Sequence, residues 1–182
     1  MDKKLDPQHL DLLSFAREGA ALSGEGALTA WPRLFEEQFG VDVLAGPVLW
    51  HLQGRSVPKL GHGDEIWLDL NAEVSLPMQC QRCLSPVLTK VQAQQSFRFV
   101  ADEATAAALD DEAEEDILVI SRDFDALALV EDELILSLPL VPLHDTCPEV
   151  LPTTAVDPEF EMAAERPNPF GVLAGLKKGS TS

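Results

Sequence analysis

The segment from Ile66 to Cys80 constrains the fold more than any other part of the chain. Ile66, Leu68, Leu70, Ala72, Val74, Leu76, Met78 and Cys80 take every second position. Trp67, Asp69, Asn71, Glu73, Ser75, Pro77 and Gln79 stand between them. A period of two puts one set on a buried face and the other toward water, whereas a helix would scatter both sets around its circumference. Pro77 lacks a donor, which predicts an edge or the end of regular pairing there, with the ring facing outward. A second alternating run follows, with Val87, Val91, Ala93, Phe97 and Phe99 between Lys90, Gln92, Gln94, Ser96 and Arg98. Two such runs joined by a short connection predict a long β-hairpin, with Cys80-Gln81-Arg82-Cys83-Leu84-Ser85 at its tip.

Other elements arrange themselves around this hairpin. Val48 to Leu52 reads as a short strand and Asp116 to Ile120 as a compact buried one. Leu127, Val130, Leu134 and Leu138 form the stripe of a helix over 124–138, with Asp123 as its cap and Pro139 as its stop. The N-terminal part reads as two helices, over residues 7–17 and 27–39, separated by Ser23-Gly24-Glu25-Gly26 and closed by Gly40. Between Ala101 and Glu115, alanines favour helix but the acidic run favours a solvated loop. Gly61-His62-Gly63-Asp64 reads as a turn. The expected fold is α+β: an antiparallel sheet built on the hairpin, helices packed on it, and peripheral N-terminal helices. The expected division is an N-terminal helical segment at 1–45, a β-rich core at 46–147, and an acidic, proline-rich tail at 148–182 with a short helix carrying Phe170, Leu173 and Leu176.

Charge narrows the function. Thirteen lysines and arginines against 31 aspartates and glutamates leave a net charge of −18 over 182 residues. A nucleic-acid binder neutralises phosphates with a basic patch, and here the basic residues are scattered. A negative field of this size keeps a protein dissolved and attracts basic partners. The acid triplet Glu131, Asp132 and Glu133, beside Val130 and Leu134, offers a mixed apolar and acidic surface to such a partner. The polar N-terminus and the lack of a bilayer-length apolar run point to the cytoplasm and to no membrane partner. No GxSxG, P-loop, GxGxxG or HExxH sequence is present, so no enzymatic activity is expected.

The cysteines carry the remaining chemistry. Cys80 and Cys83 form a CxxC at a hairpin tip, the geometry of a zinc knuckle. His144 and Cys147 lie about 60 residues on and complete a Cys3His set, so a structural zinc is the one cofactor the sequence suggests. A thioredoxin-type redox role fits less well, because that CxxC opens a helix and this one joins two strands.

Four segments in order resemble the bacterial YceD family, the large ribosomal RNA subunit accumulation proteins. They are Cys80-Gln81-Arg82-Cys83, Val130 to Pro139 with its Glu131-Asp132-Glu133, Val141-Pro142-Leu143-His144-Asp145, and Arg166-Pro167-Asn168-Pro169-Phe170 with Leu173 to Lys177. The resemblance implies a non-enzymatic role in synthesis, processing or stability of the 23S ribosomal RNA of the large subunit. Many family members are encoded beside a small basic large-subunit protein, which implies shielding of such a protein as the mechanism. Arg82, Glu131, Asp132, Glu133, Pro169 and Phe170 are then the candidate partner-binding residues. The alternative is a direct RNA-binding module that uses Arg82, Lys90 and Arg98 as a positive strip on the hairpin.

Overall fold

The computed structural model describes residues 5–40, 43–59, 61, 63–110, 113, 115–148 and 170. Residues Met1–Thr146 form one compact unit and Cys147–Ser182 a second. Five strands make one sheet in the order β1-β2-β3-β4-β5: β1 (Ala21–Gly26), β2 (Val48–Val57), β3 (Glu65–Gln79), β4 (Pro86–Val100) and β5 (Asp116–Val119). The first four are antiparallel neighbours and β5 runs parallel to β4. The hairpin is the predicted one, β3 and β4 pairing without a break from Ile66 opposite Phe99 to Gln79 opposite Pro86.

The alternation decides which face is covered. Leu68, Leu70, Val74 and Leu76 on β3, with Val91 and Phe97 on β4, point into the core beside Val48 and Leu52 of β2. Two main helices close over them, α1 (Leu12–Arg17) with Leu12 and Phe15, and α4 (Ala126–Leu136) with Ala126, Val130 and Leu134. Leu34, on the short α2 (Pro32–Glu36), fills the same core. Where α1 crosses β2, a Cβ on Gly54 would meet Phe15 Cδ1 at 2.7 Å and the Ala16 Cα at 2.8 Å. Backbone cannot yield there as a flexible side chain would. Gly54→Ala is expected to cost about 2–3 kcal/mol, the upper range for overpacking a core, and the urea midpoint will report it.

The structure differs from the sequence reading in several places, each for a local reason. Ala21–Gly26, read partly as a helix break, is the edge strand β1, whose Leu22 faces Leu52 and whose Gly24 faces Trp50. Gly24 is there because the Trp50 ring lies over it: an added Cβ would stand 2.5 Å from Trp50 Cζ2. The helix read over 27–39 is interrupted by Pro32 into a 3-10 turn at Leu28–Ala30 and α2, and Gly40 lies beyond the Glu37 cap. The first helix spans only Leu12–Arg17, because the Asp11 carboxylate accepts from Ser14 N–H and starts it there. The cap of α4 is Asp125, not Asp123; Asp125 accepts from Ala128 N–H, and Asp123 pairs instead with His9. Residues Glu103–Asp110 form a helix, α3, that carries the chain from β4 to β5. β5 is a half-buried edge strand, not a fully buried one. Pro77 is buried with its carbonyl accepting from Phe39 N–H, yet it does lie past Glu73, where pairing with β2 ends. His62 of the 61–64 turn, and Leu173 and Leu176 of the terminal helix reading, fall outside the described residues.

Candidate metal centre and charged surfaces

The hairpin tip is built by backbone hydrogen bonds before any side chain is considered. Cys80 N–H donates to the Ser85 carbonyl at 3.0 Å, and Leu84 N–H to the Cys80 carbonyl at 2.8 Å. Gln81 N–H donates to the Pro142 carbonyl at 2.9 Å, which ties the tip to the segment after α4. This fixes His144 against the CxxC. Its Nδ1 lies 3.3 Å from Cys83 Sγ, and its backbone N–H points at Cys80 Sγ at 3.5 Å. Its Nε2 lies 3.1 Å from the Pro86 carbonyl, an acceptor that requires the proton on Nε2 and leaves the Nδ1 lone pair facing the sulfurs. Cys147 follows His144 by three residues. One ligand atom from each of Cys80, Cys83, His144 and Cys147 lies within 4.8 Å of all the others.

The donor set fits zinc. Ligands on a tetrahedral zinc, with Zn–S about 2.3 Å and Zn–N about 2.0 Å, stand roughly 3.3–3.8 Å apart, and the four ligand atoms here all lie within 4.8 Å of one another. The electrostatics agree. Burial opposes ionisation of Cys80, but the N–H groups of Cys83, His144 and Arg82 and the His144 ring outweigh it and lower the thiol pKa. A thiolate is the form that binds metal. The same sulfurs, led by Cys80, raise the His144 pKa, so at Nδ1 a metal competes with a proton. Leu84 lies in this tip at φ 62°, a left-handed conformation, with its side chain 61% exposed. A β-carbon in that region costs about 1–2 kcal/mol, so Leu84→Gly is expected to raise stability by about 0.5–1 kcal/mol in urea denaturation.

The candidate partner residues take different positions. Glu131 is buried, 6% exposed, and its carboxylate accepts from the backbone N–H groups of Arg33 at 2.8 Å and Leu34 at 3.1 Å. These are the first free donors of α2, whose own N-terminus has no side-chain cap. The Arg33 guanidinium closes the arrangement on Glu131 at 3.0 Å and also pairs with Asp132. Glu133 lies half-buried, and burial followed by repulsion from Asp116 and Asp132 raises its pKa. Phe170 is 70% exposed, and Pro169 lies outside the described residues. Sequence reasoning missed the Arg33–Glu131 link, because nothing in a single chain relates residues 98 apart.

The proposed positive strip is largely neutralised. Lys90 pairs with Glu73 at 3.0 Å, and Arg98 with Glu65 at 2.9 Å and Glu115 at 3.4 Å. Arg55 lies 4.6 Å over the Trp67 ring and donates to Asp69 at 2.7 Å. Of the three cations in the strip, only Arg82 has no ion pair among the described residues. No helix among the described residues is long and apolar enough to cross a membrane.

Comparison with known proteins follows the same segments. The family model described as large ribosomal RNA subunit accumulation protein YceD matches residues 68–177, more than half of the chain. A Haemophilus influenzae protein named large ribosomal RNA subunit accumulation protein YceD is 34% identical over 110 residues. That alignment covers 58% of this chain and 62% of the relative, so the chain spans less than two thirds of the relative's length. No solved structure matches the chain.

Proposed function

The chain belongs to the YceD family, and from that membership we propose that it is a non-catalytic assembly factor that supports accumulation of large-subunit ribosomal RNA by shielding a basic ribosomal protein. One observation carries the mechanism: a net charge of −18 in a chain whose hairpin cations Lys90 and Arg98 are already held by its own carboxylates. Phosphate meets repulsion at long range and finds few open cations at contact. A lysine- and arginine-rich protein meets attraction at both ranges. Asp132 and Glu133 on α4 contribute to the surface this partner meets, Phe170 of the second unit is a separate candidate contact, and Glu131 serves the fold from beneath.

In the same reading Cys80, Cys83, His144 and Cys147 hold a structural zinc. Zinc here would do no chemistry; it would fasten the hairpin tip to the segment after α4, and the Pro86 carbonyl would orient the imidazole. The shielding role is tested by affinity capture of the tagged chain at moderate salt, with and without nuclease. A large-subunit ribosomal protein that stays bound after nuclease treatment supports it. Association that disappears with the RNA favours the hairpin as an RNA-binding element, with Arg82 as its remaining cation.

A further inference from the structure

A recess of about 570 Å³ opens between the edge strand β1, the 27–32 turn and the start of α4. Trp31, Trp50, Pro32 and Leu127 give it an aromatic and apolar lining. Glu25, Asp125 and Glu131 also line it, and no lysine, arginine or histidine does. Arg33 compensates Glu131, whereas Glu25 and Asp125 make no lysine or arginine ion pair among the described residues, and Asp125 accepts from Ala128 N–H at the start of α4. Two further acids, Asp6 and Asp123, stand just outside, where with Asp125 they raise the pKa of the neighbouring His9.

We propose that this recess receives an arginine side chain from an extended segment of the basic partner, a reading that rests on the shielding role above. The chain itself shows the chemistry. Arg55 lies over the Trp67 indole at 4.6 Å while Asp69 accepts its N–H groups. The recess repeats the indole and the carboxylate but contains no guanidinium of its own. Arginine suits it better than lysine, because a planar, weakly hydrated guanidinium stacks on an indole and loses less on leaving water. Phosphate is repelled by the carboxylates, so the occupant is protein and not RNA. The indole N–H of Trp31, 5% exposed, has no acceptor. A Cβ on Gly26 would stand 3.3 Å from that nitrogen, so glycine is what lets the indole pack against β1 at the edge of the recess.

The test titrates the full chain with an unstructured peptide of alternating arginine and glycine, followed by calorimetry and tryptophan fluorescence. Lysine–glycine and glutamate–glycine peptides run beside it. The arginine peptide is expected to bind and perturb the fluorescence, the lysine peptide to bind several-fold more weakly, and the glutamate peptide not at all. Asp125→Ser keeps a capping oxygen for α4 and removes one charge; it is expected to weaken arginine-peptide binding tenfold or more, and so is Trp50→Leu. Glu103→Gln removes the same charge far along the chain and is expected to change binding less than twofold. Circular dichroism of each variant checks that the fold is intact. Equal weakening by Asp125→Ser and Glu103→Gln overturns the recess and leaves the shielding role standing. No binding of either basic peptide overturns both.

Discussion

Stripping the zinc-loaded protein with a chelator is expected to lower its thermal midpoint by about 10 °C. The tip leaves Cys80, Cys83 and His144 close together, with His144 Nδ1 3.3 Å from Cys83 Sγ and His144 N–H 3.5 Å from Cys80 Sγ. An ion bound only to the native state contributes about 4 kcal/mol at a thousandfold excess over its dissociation constant. In a chain of 150–250 residues each kcal/mol moves the midpoint by roughly 2–4 °C. Cys80→Ser should reproduce the loss and abolish the response to chelator, because the most buried ligand would be gone. Native mass spectrometry provides the count: one zinc per chain, lost on chelation. A metal-free protein with an unchanged midpoint would rule the zinc out and leave the tip fastened by its hydrogen bonds.

The second large effect is Glu131→Ala, expected to destabilise the fold by about 3 kcal/mol. One carboxylate satisfies two orphan donors of α2 and the Arg33 guanidinium. Truncation leaves Leu34 N–H buried without an acceptor, beside a cation that has lost its better-buried partner. The neighbouring Asp132→Ala should cost less than about 1 kcal/mol, since both its carboxylate and Arg33 are half exposed and water replaces the pair. Urea denaturation of the two variants separates a structural acid from a surface acid within one triplet. Equal costs would show that Glu131 is not the anchor of α2.

The difference between those two acids marks how much the sequence tells. Alternation over 66–99 located the hairpin, its register face and its CxxC tip, because period two depends on nothing but the local chain. The Cys3His set was legible for a different reason: few residue types bind zinc, and few copies of them are present. The edge strand over Ala21–Gly26 was hidden, because its glycines are required by the Trp50 ring of a distant strand and read locally as a turn. The recess of Trp31 and Trp50 is equally non-local, assembled from β1, β2, the 27–32 turn and α4. Glu131 looked like its neighbours in the triplet, and only the fold turns it toward Arg33.

On the proposed function, the acidic surface of the chain meets a basic protein of the large subunit. Zero-length carboxyl-to-amine crosslinking in growing cells, read by mass spectrometry, addresses it directly. The account predicts links from Asp125, Asp132 and Glu133 to lysines of a large-subunit ribosomal protein, retained when RNA is digested before purification. Links confined to the hairpin tip around Arg82 and dependent on intact RNA would contradict it.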